Sequence, residues 1–153
     1  SLRYSPIKEL ALSASYGYTH ATFRENFDGE RSYTGNFVPF APAHTLALDA
    51  TYSLNVNKRI LDAIEFNLGM TGQGRIYWTE ANDVWQNFYG LLNSNITFRK
   101  GDYSLSIWGK NLTATKYHSF YFETLNARDV MSQSSFVEIG RPITFVADIV
   151  VKF

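Results

Sequence analysis

The chain has 153 residues, enough for one packed domain, and its 14 basic and 14 acidic side chains cancel. With no basic excess to neutralise phosphates, nucleic acid is excluded as a partner on charge grounds. With no cysteine, disulfide frameworks and thiolate metal sites are excluded as well.

Charged residues make up 18% and aromatics 16%, a balance that fits much wall and little solvated surface. No stretch approaches the ~20 apolar residues of a spanning helix, so any membrane crossing is made by strands. The first strand is expected over about Leu10 to Arg24, with Leu10, Leu12, Ala14, Tyr16 and Tyr18 on one face. A long connection, roughly Glu25 to Ala43, follows with Asp28-Gly29 and Thr34-Gly35-Asn36 turn signals and two prolines, Pro39 and Pro42. Strand two, about His44 to Leu54, sets Leu46, Leu48, Ala50, Tyr52 and Leu54 against Thr45, Ala47, Asp49, Thr51 and Ser53. A short connection leads to strand three, Ala63 to Tyr77, where Gly69, Gly72 and Gly74 mark bulges or close approaches.

A polar connection, Trp78 to Gln86, then reaches strand four, Asn87 to Arg99, and a minimal turn at Lys100-Gly101-Asp102. Strand five starts at Tyr103 and is expected to continue through a bulge near Leu112 to about Phe122. A last long loop, Glu123 to Ile139, precedes strand six, Ile143 to Phe153, whose apolar set Ile143, Phe145, Ala147, Ile149, Val151 and Phe153 recurs with period two. The reading is therefore all-β, an antiparallel up-and-down meander of about six long strands. Its connections run long, short, long, short, long, so the long ones gather at one end, as in outer-membrane barrels. Strands of 11 or more residues also exceed the usual ~5–6 of globular sheets.

Three stretches resemble the C-terminal end of the TonB-dependent outer-membrane receptors. They are Asn111-Leu112-Thr113-Ala114-Thr115-Lys116-Tyr117, Gly140-Arg141-Pro142 opening the last strand, and the closing aromatic Phe153. Upstream, Pro39-x-x-Pro42 followed by the strand from Thr45 to Tyr52 is similar to a proline-then-strand segment of the same family. The resemblance implies that residues 1–153 are the last six strands of a 22-stranded transmembrane barrel whose plug lies outside this chain. It further implies the outer membrane of a Gram-negative bacterium and uptake of a scarce, bulky nutrient: a ferric siderophore or haem first, cobalamin or an oligosaccharide next. The implied partners are outer-membrane lipid, the rest of the barrel and the plug, and the TonB complex, reached through an N-terminal part not in this chain. The barrel assembly machinery is a further implied partner, reading a tail of Phe145, Ile149, Val151 and Phe153. On this reading the segment alone transports nothing.

No nucleophile, base and carboxylate stand close in sequence, so no enzyme activity is expected; no cofactor is expected either. His20, His44 and His118 lie on different stretches with no neighbouring ligand at metal spacing, which points to structural or interfacial roles over metal binding. Phe27, Tyr33 and Trp85, in the long connections, are the candidate ligand contacts, because a flat or sugar-like cargo stacks on aromatic faces. Other aromatics near that end, including Phe23, Phe37, Trp78 and Tyr121, fit an interfacial belt. Open edges near Leu10–Arg24 and Ile143–Phe153 would lead the isolated chain to self-associate or to curl into a smaller barrel. The second reading is a small soluble lipocalin-like calyx, with the greasy face turned inward around an apolar ligand.

Overall fold

Period-two alternation of β-branched, aromatic and small polar residues favours a pleated strand with two chemically distinct faces, and all the regular elements described are strands. The computed structural model describes residues 1–126 and 129–152, with side chains outside 125–133. In chain order the strands are β1 (Leu2–Ile7), β2 (Leu10–Tyr18), β3 (Phe27–Asp28), β4 (Arg31–Ser32), β5 (His44–Asn55) and β6 (Ala63–Gln73). They continue as β7 (Ile76–Tyr77), β8 (Trp85–Gln86), β9 (Tyr89–Lys100), β10 (Tyr103–Lys110), β11 (His118–Asn126), β12 (Asp129–Ile139) and β13 (Thr144–Val151).

Seven of them form one antiparallel wall in the order β1-β2-β5-β6-β9-β10-β13. The pairs β3-β4, β7-β8 and β11-β12 are separate two-stranded hairpins, one inside each long connection, the first two with two-residue strands. We call that end of the wall the crown.

Register fixes which side chains share a face. Leu10, Tyr52, Phe66, Ile96, Ile107 and Ala147 lie in one row across the wall. One residue along, Thr51, Asn67, Asn95, Trp108 and Val146 form the adjacent row on the other face. The first face is apolar across every wall strand; the second is largely polar and pairs with itself. Asn67 Nδ2 donates to Thr51 Oγ1 at 2.9 Å, Thr97 and Ser106 hydroxyls meet at 3.0 Å, and Trp108 Nε1 donates to Asp148 Oδ1 at 2.6 Å.

Burial is inverted relative to a water-soluble sheet. Asn95 and Ser106 retain only 6% and 8% of their exposure, while Phe145 and Ile149 retain 69% and 73%. Among the described residues no apolar layer covers the greasy face. A lipocalin-like calyx requires the opposite arrangement and a closed wall; here β1 pairs only with β2 and β13 only with β10 among the described residues, so the sheet does not curl into a smaller barrel.

Several sequence boundaries are corrected. The wall has seven strands, because Leu2–Ile7 forms β1 and covers the edge expected at Leu10–Arg24. Its Pro6 and Arg3 disguise the alternation, and proline is tolerated because β1 is an edge strand with irregular register between Tyr4 and Ile7. Strand five ends at Lys110 instead of running through a bulge to Phe122. Asn111 and Ala114 take left-handed φ values of 51° and 53°, which turns the chain, and the expected loop Glu123–Ile139 is mostly the second half of the hairpin β11-β12. Strand three stops at Gln73, and Gly74 then allows close passage of His44, whose Cβ would stand 3.0 Å from a side chain placed there.

Candidate functional site

The crown contains the buried apolar core of the described chain: Ile76, Trp78 and Tyr121, with Val84 and Tyr89 packed against them. Tyr89 stands on the polar face, opposite Gln73, to whose Oε1 it donates at 2.7 Å. That places the core, and the cleft beside it, on the polar-face side.

Hydrogen bonds between connections build the site. Asn82, at φ 59°, accepts from Phe37 N at 2.7 Å and donates to Phe37 O at 2.9 Å; Asn36 Nδ2 donates to Glu80 O at 2.8 Å. The first long connection is thereby fastened to the second. Phe40 N donates to Tyr77 O at 2.9 Å, holding Phe40 at φ 62°, a conformation bulky residues rarely adopt. Its ring then meets Trp78 edge-on at 5.5 Å and stacks on Phe120 at 5.6 Å, which joins the third connection.

The resulting inner cleft has a volume of about 790 Å³, with Phe40, Trp78, Tyr121 and Phe122 among its aromatic walls. Four carboxylates, Asp28, Glu80, Asp83 and Glu123, line it against one guanidinium, Arg31. Tyr121 Oη donates to Glu123 Oε1 at 2.6 Å, and that hydrogen bond, with burial second, holds the phenol above its ordinary pKa. The Trp78 indole N–H, in a residue 7% exposed, is buried without an acceptor among the described residues.

Of the sequence candidates, Tyr33 lines this cleft, while Phe27 and Trp85 are exposed outside its lining. The structure does not bring the three together. Phe23, Trp78 and Tyr121 join Tyr33 there. Phe37 instead stacks on Tyr77 at 5.4 Å. Sequence reasoning missed Phe40 and Phe122. Pro39 beside Phe40 was the available signal, since proline commits the chain to a turn there; the parity of Phe120 and Phe122 was hidden by the misplaced strand five.

The motif residues act as one joint. Asn111, 4% exposed, donates from Nδ2 to Thr115 O at 3.0 Å and to Arg141 O at 2.9 Å, and its Oδ1 accepts from Thr115 N at 2.9 Å. Leu112 lies against Gly109, where an added Cβ would stand 2.7 Å from Leu112 Cδ2. Tyr117 stacks on Tyr89 at 4.6 Å and covers Gly140 so closely that an added Cβ would overlap its ring. Pro142 O accepts from Thr144 Oγ1 at 3.1 Å as β13 begins. The two motifs therefore touch each other across a 30-residue separation and set β13 beside β10. Phe145, Ile149 and Val151 project from β13 on its exposed apolar face; Phe153 lies outside the described residues.

The histidines are placed apart. His20 meets Phe37 edge-on at 5.5 Å, His44 Nδ1 lies 2.7 Å from Tyr16 Oη with Tyr18 at 5.2 Å, and His118 N donates to Gln86 Oε1 at 3.0 Å.

A wall with an exposed apolar face, a polar face that pairs with itself and hairpins crowding one end has close counterparts among solved structures. The ferric yersiniabactin uptake receptor FyuA from Yersinia pestis superposes with a TM-score of 0.78 at 16% identity, over 99% of this chain and 22% of that one. The fold is that of a TonB-dependent siderophore receptor's barrel wall. BauA, the ferric preacinetobactin receptor from Acinetobacter baumannii, matches this receptor-barrel fold at TM-score 0.69 and 14% identity over 99% of the chain and 21% of BauA. The siderophore receptor PiuA from the same organism matches at 0.67 and 17% over 97% of the chain and 20% of PiuA. The chain spans about a fifth of the length of these receptors. No family profile matches the sequence.

Proposed function

We propose that this chain forms part of the barrel wall of an outer-membrane active-transport receptor of a Gram-negative bacterium. The remainder of the barrel and a plug belong to the parent protein, and the TonB complex supplies the energy. The observation that carries the reading is the inverted burial: buried Asn95 and Ser106 on one face, exposed Phe145 and Ile149 on the other. Such a wall is stable where hydrocarbon covers the apolar face and water or protein fills the polar side. From Leu54 to His44 the apolar face rises ten residues along β5, roughly 33 Å of strand, or about 25 Å of height at a tilt near 40°, which matches the apolar band of an outer-membrane barrel.

The cargo is a scarce, bulky nutrient, with a ferric siderophore or haem first and cobalamin or an oligosaccharide next. The inner cleft supports this because its aromatic walls offer flat stacking surfaces beside groups that accept hydrogen bonds. Tyr33 is its sequence-named contact. The chain carries out no bond-making step in this proposal; its work is binding and enclosing. The exposed apolar edge strand β13 is the segment the assembly machinery reads during insertion.

Labelling tests the orientation. Single cysteines at Leu48→Cys and Ile149→Cys in the full-length protein, in outer-membrane vesicles, are expected to resist a water-soluble maleimide. Thr51→Cys reacts from the lumen. Equal reactivity at all three positions overturns the membrane assignment.

A further inference from the structure

The crown carries a second cleft, on the opposite face from the first, and its chemistry is different. It has a volume of about 680 Å³ and is lined by His44, Arg75, Asn87, Phe88 and Tyr77 among others, with no carboxylate in its lining. Two contacts assign it to the apolar face. His44 shares a face with Tyr16 and Leu46, and Phe88 lies against Gly72, where an added Cβ would stand 3.0 Å from its ring; Gly72 is opposite Leu46. Below the cleft that face is aliphatic (Leu48, Leu68, Met70 and Leu92); at its level stand Tyr16, Tyr18 and His44. A change from aliphatic to aromatic marks the headgroup level of a membrane surface.

Arg75 is the arginine in the cleft's lining. Its guanidinium lies 5.7 Å over the Trp85 ring and donates to Asn87 Oδ1 at 3.4 Å, which fixes its direction while using few of its five N–H donors. Among the described residues no carboxylate pairs with it. An arginine braced on an indole, at the rim of an apolar groove and without a counter-charge, suits one class of ligand: a phosphorylated headgroup whose oxygens take the free donors while its chains run down the greasy face.

We propose that this outer cleft binds the phosphate headgroup of an anionic lipid in the leaflet at the crown end, with Arg75 as counter-ion and Phe88 and Tyr77 against the upper acyl chain. The proposal rests on the membrane reading above. It commits to a lipid because an apolar groove beneath the cation serves no purpose for a free anion.

The test uses full-length protein in detergent, titrated with phosphatidic acid or phosphatidylcholine and read by native mass spectrometry. Wild type is expected to retain phosphatidic acid in preference to phosphatidylcholine. Arg75→Gln is expected to weaken phosphatidic acid binding about fivefold, Arg75→Lys to restore part of it, and Arg99→Gln on the polar face to leave it unchanged. Equal binding by wild type and Arg75→Gln, no preference between the two lipids, or displacement of the lipid by inorganic phosphate each overturns the assignment. Maleimide protection at Leu48 and Ile149 is measured in parallel. If protection is lost, the membrane reading fails; if protection holds while Arg75→Gln binds normally, only the lipid site fails.

Discussion

The wall and the crown are held together by different forces. In the wall, apolar side chains from seven strands share one open face, and the buried polar side chains, Asn95, Thr97 and Ser106, lie on the other. In the crown, Ile76, Trp78 and Tyr121 are buried against each other as in any soluble core. The wall lacks a packing partner for its apolar face among the described residues, whereas the crown supplies its own. Solvent conditions therefore act on the wall, and side-chain truncation acts on the crown.

The largest separation of the two is expected from Trp78→Ala, which removes the centre of the crown core at a cost of about 3–5 kcal/mol. The expected outcome is rapid proteolytic cutting in the three long connections, with the wall still migrating as a folded barrel on unheated gels. Loss of the folded band would show that wall and crown are one cooperative unit. Next is a charge on the apolar face. Leu48→Arg is expected to cost about 2–4 kcal/mol near the membrane midplane, read as a lower urea midpoint in lipid vesicles. Thr51→Arg, three residues away on the opposite face, loses the hydrogen bond to Asn67, about 1 kcal/mol. Equal losses at the two positions would remove the distinction between faces.

The wall was legible from its sequence for a physical reason. Strands with one apolar and one polar face alternate strictly, so β5 and β13 appear as period-two runs. The crown was not legible. Four of its strands, among them Phe27–Asp28 and Ile76–Tyr77, have two residues, too few to carry a period, and the connections are fixed by long-range contacts such as Asn82 on Phe37. Phe40 was missed for that reason and Phe122 because strand five was drawn through it, and Phe27 and Trp85 were named for being aromatic when neither lines the inner cleft. The motif at Asn111 was visible as a string, yet its meaning required the Arg141 carbonyl, 30 residues on.

That joint connects the two regions and gives an intermediate effect. Asn111→Ala leaves Thr115 N, Thr115 O and Arg141 O without their side-chain partner, a loss of about 1–3 kcal/mol. It is expected to raise hydrogen exchange in β13 and in the third connection together, with β5 and β6 unaffected. Exchange that rises in the connection alone would show that β13 is held by its pairing with β10 and needs no joint.

The smallest effect is expected at the far end of the wall, among the short turns. Asp62 Oδ1 lies 2.6 Å from Lys100 Nζ, and its Oδ2 accepts from Gly101 N at 2.8 Å, so one carboxylate ties the β5-β6 connection to the β9-β10 turn. The Lys100 hydrogen bond first, and the Gly101 amide second, hold the Asp62 carboxyl below its ordinary value of 3.8. A depressed carboxylate pKa gives stability that is present above the unfolded value and lost as pH falls through the folded one. The Gly101 amide is therefore expected to be protected from exchange at neutral pH, and to lose that protection below about pH 4 after correction for intrinsic rates. Asp62→Asn retains an acceptor and removes the titration, so its protection is lower but flat with pH. Both groups are open to solvent, and salt weakens the pair. A pH step that survives in Asp62→Asn would assign the transition to another group and leave the turns held by backbone pairing alone.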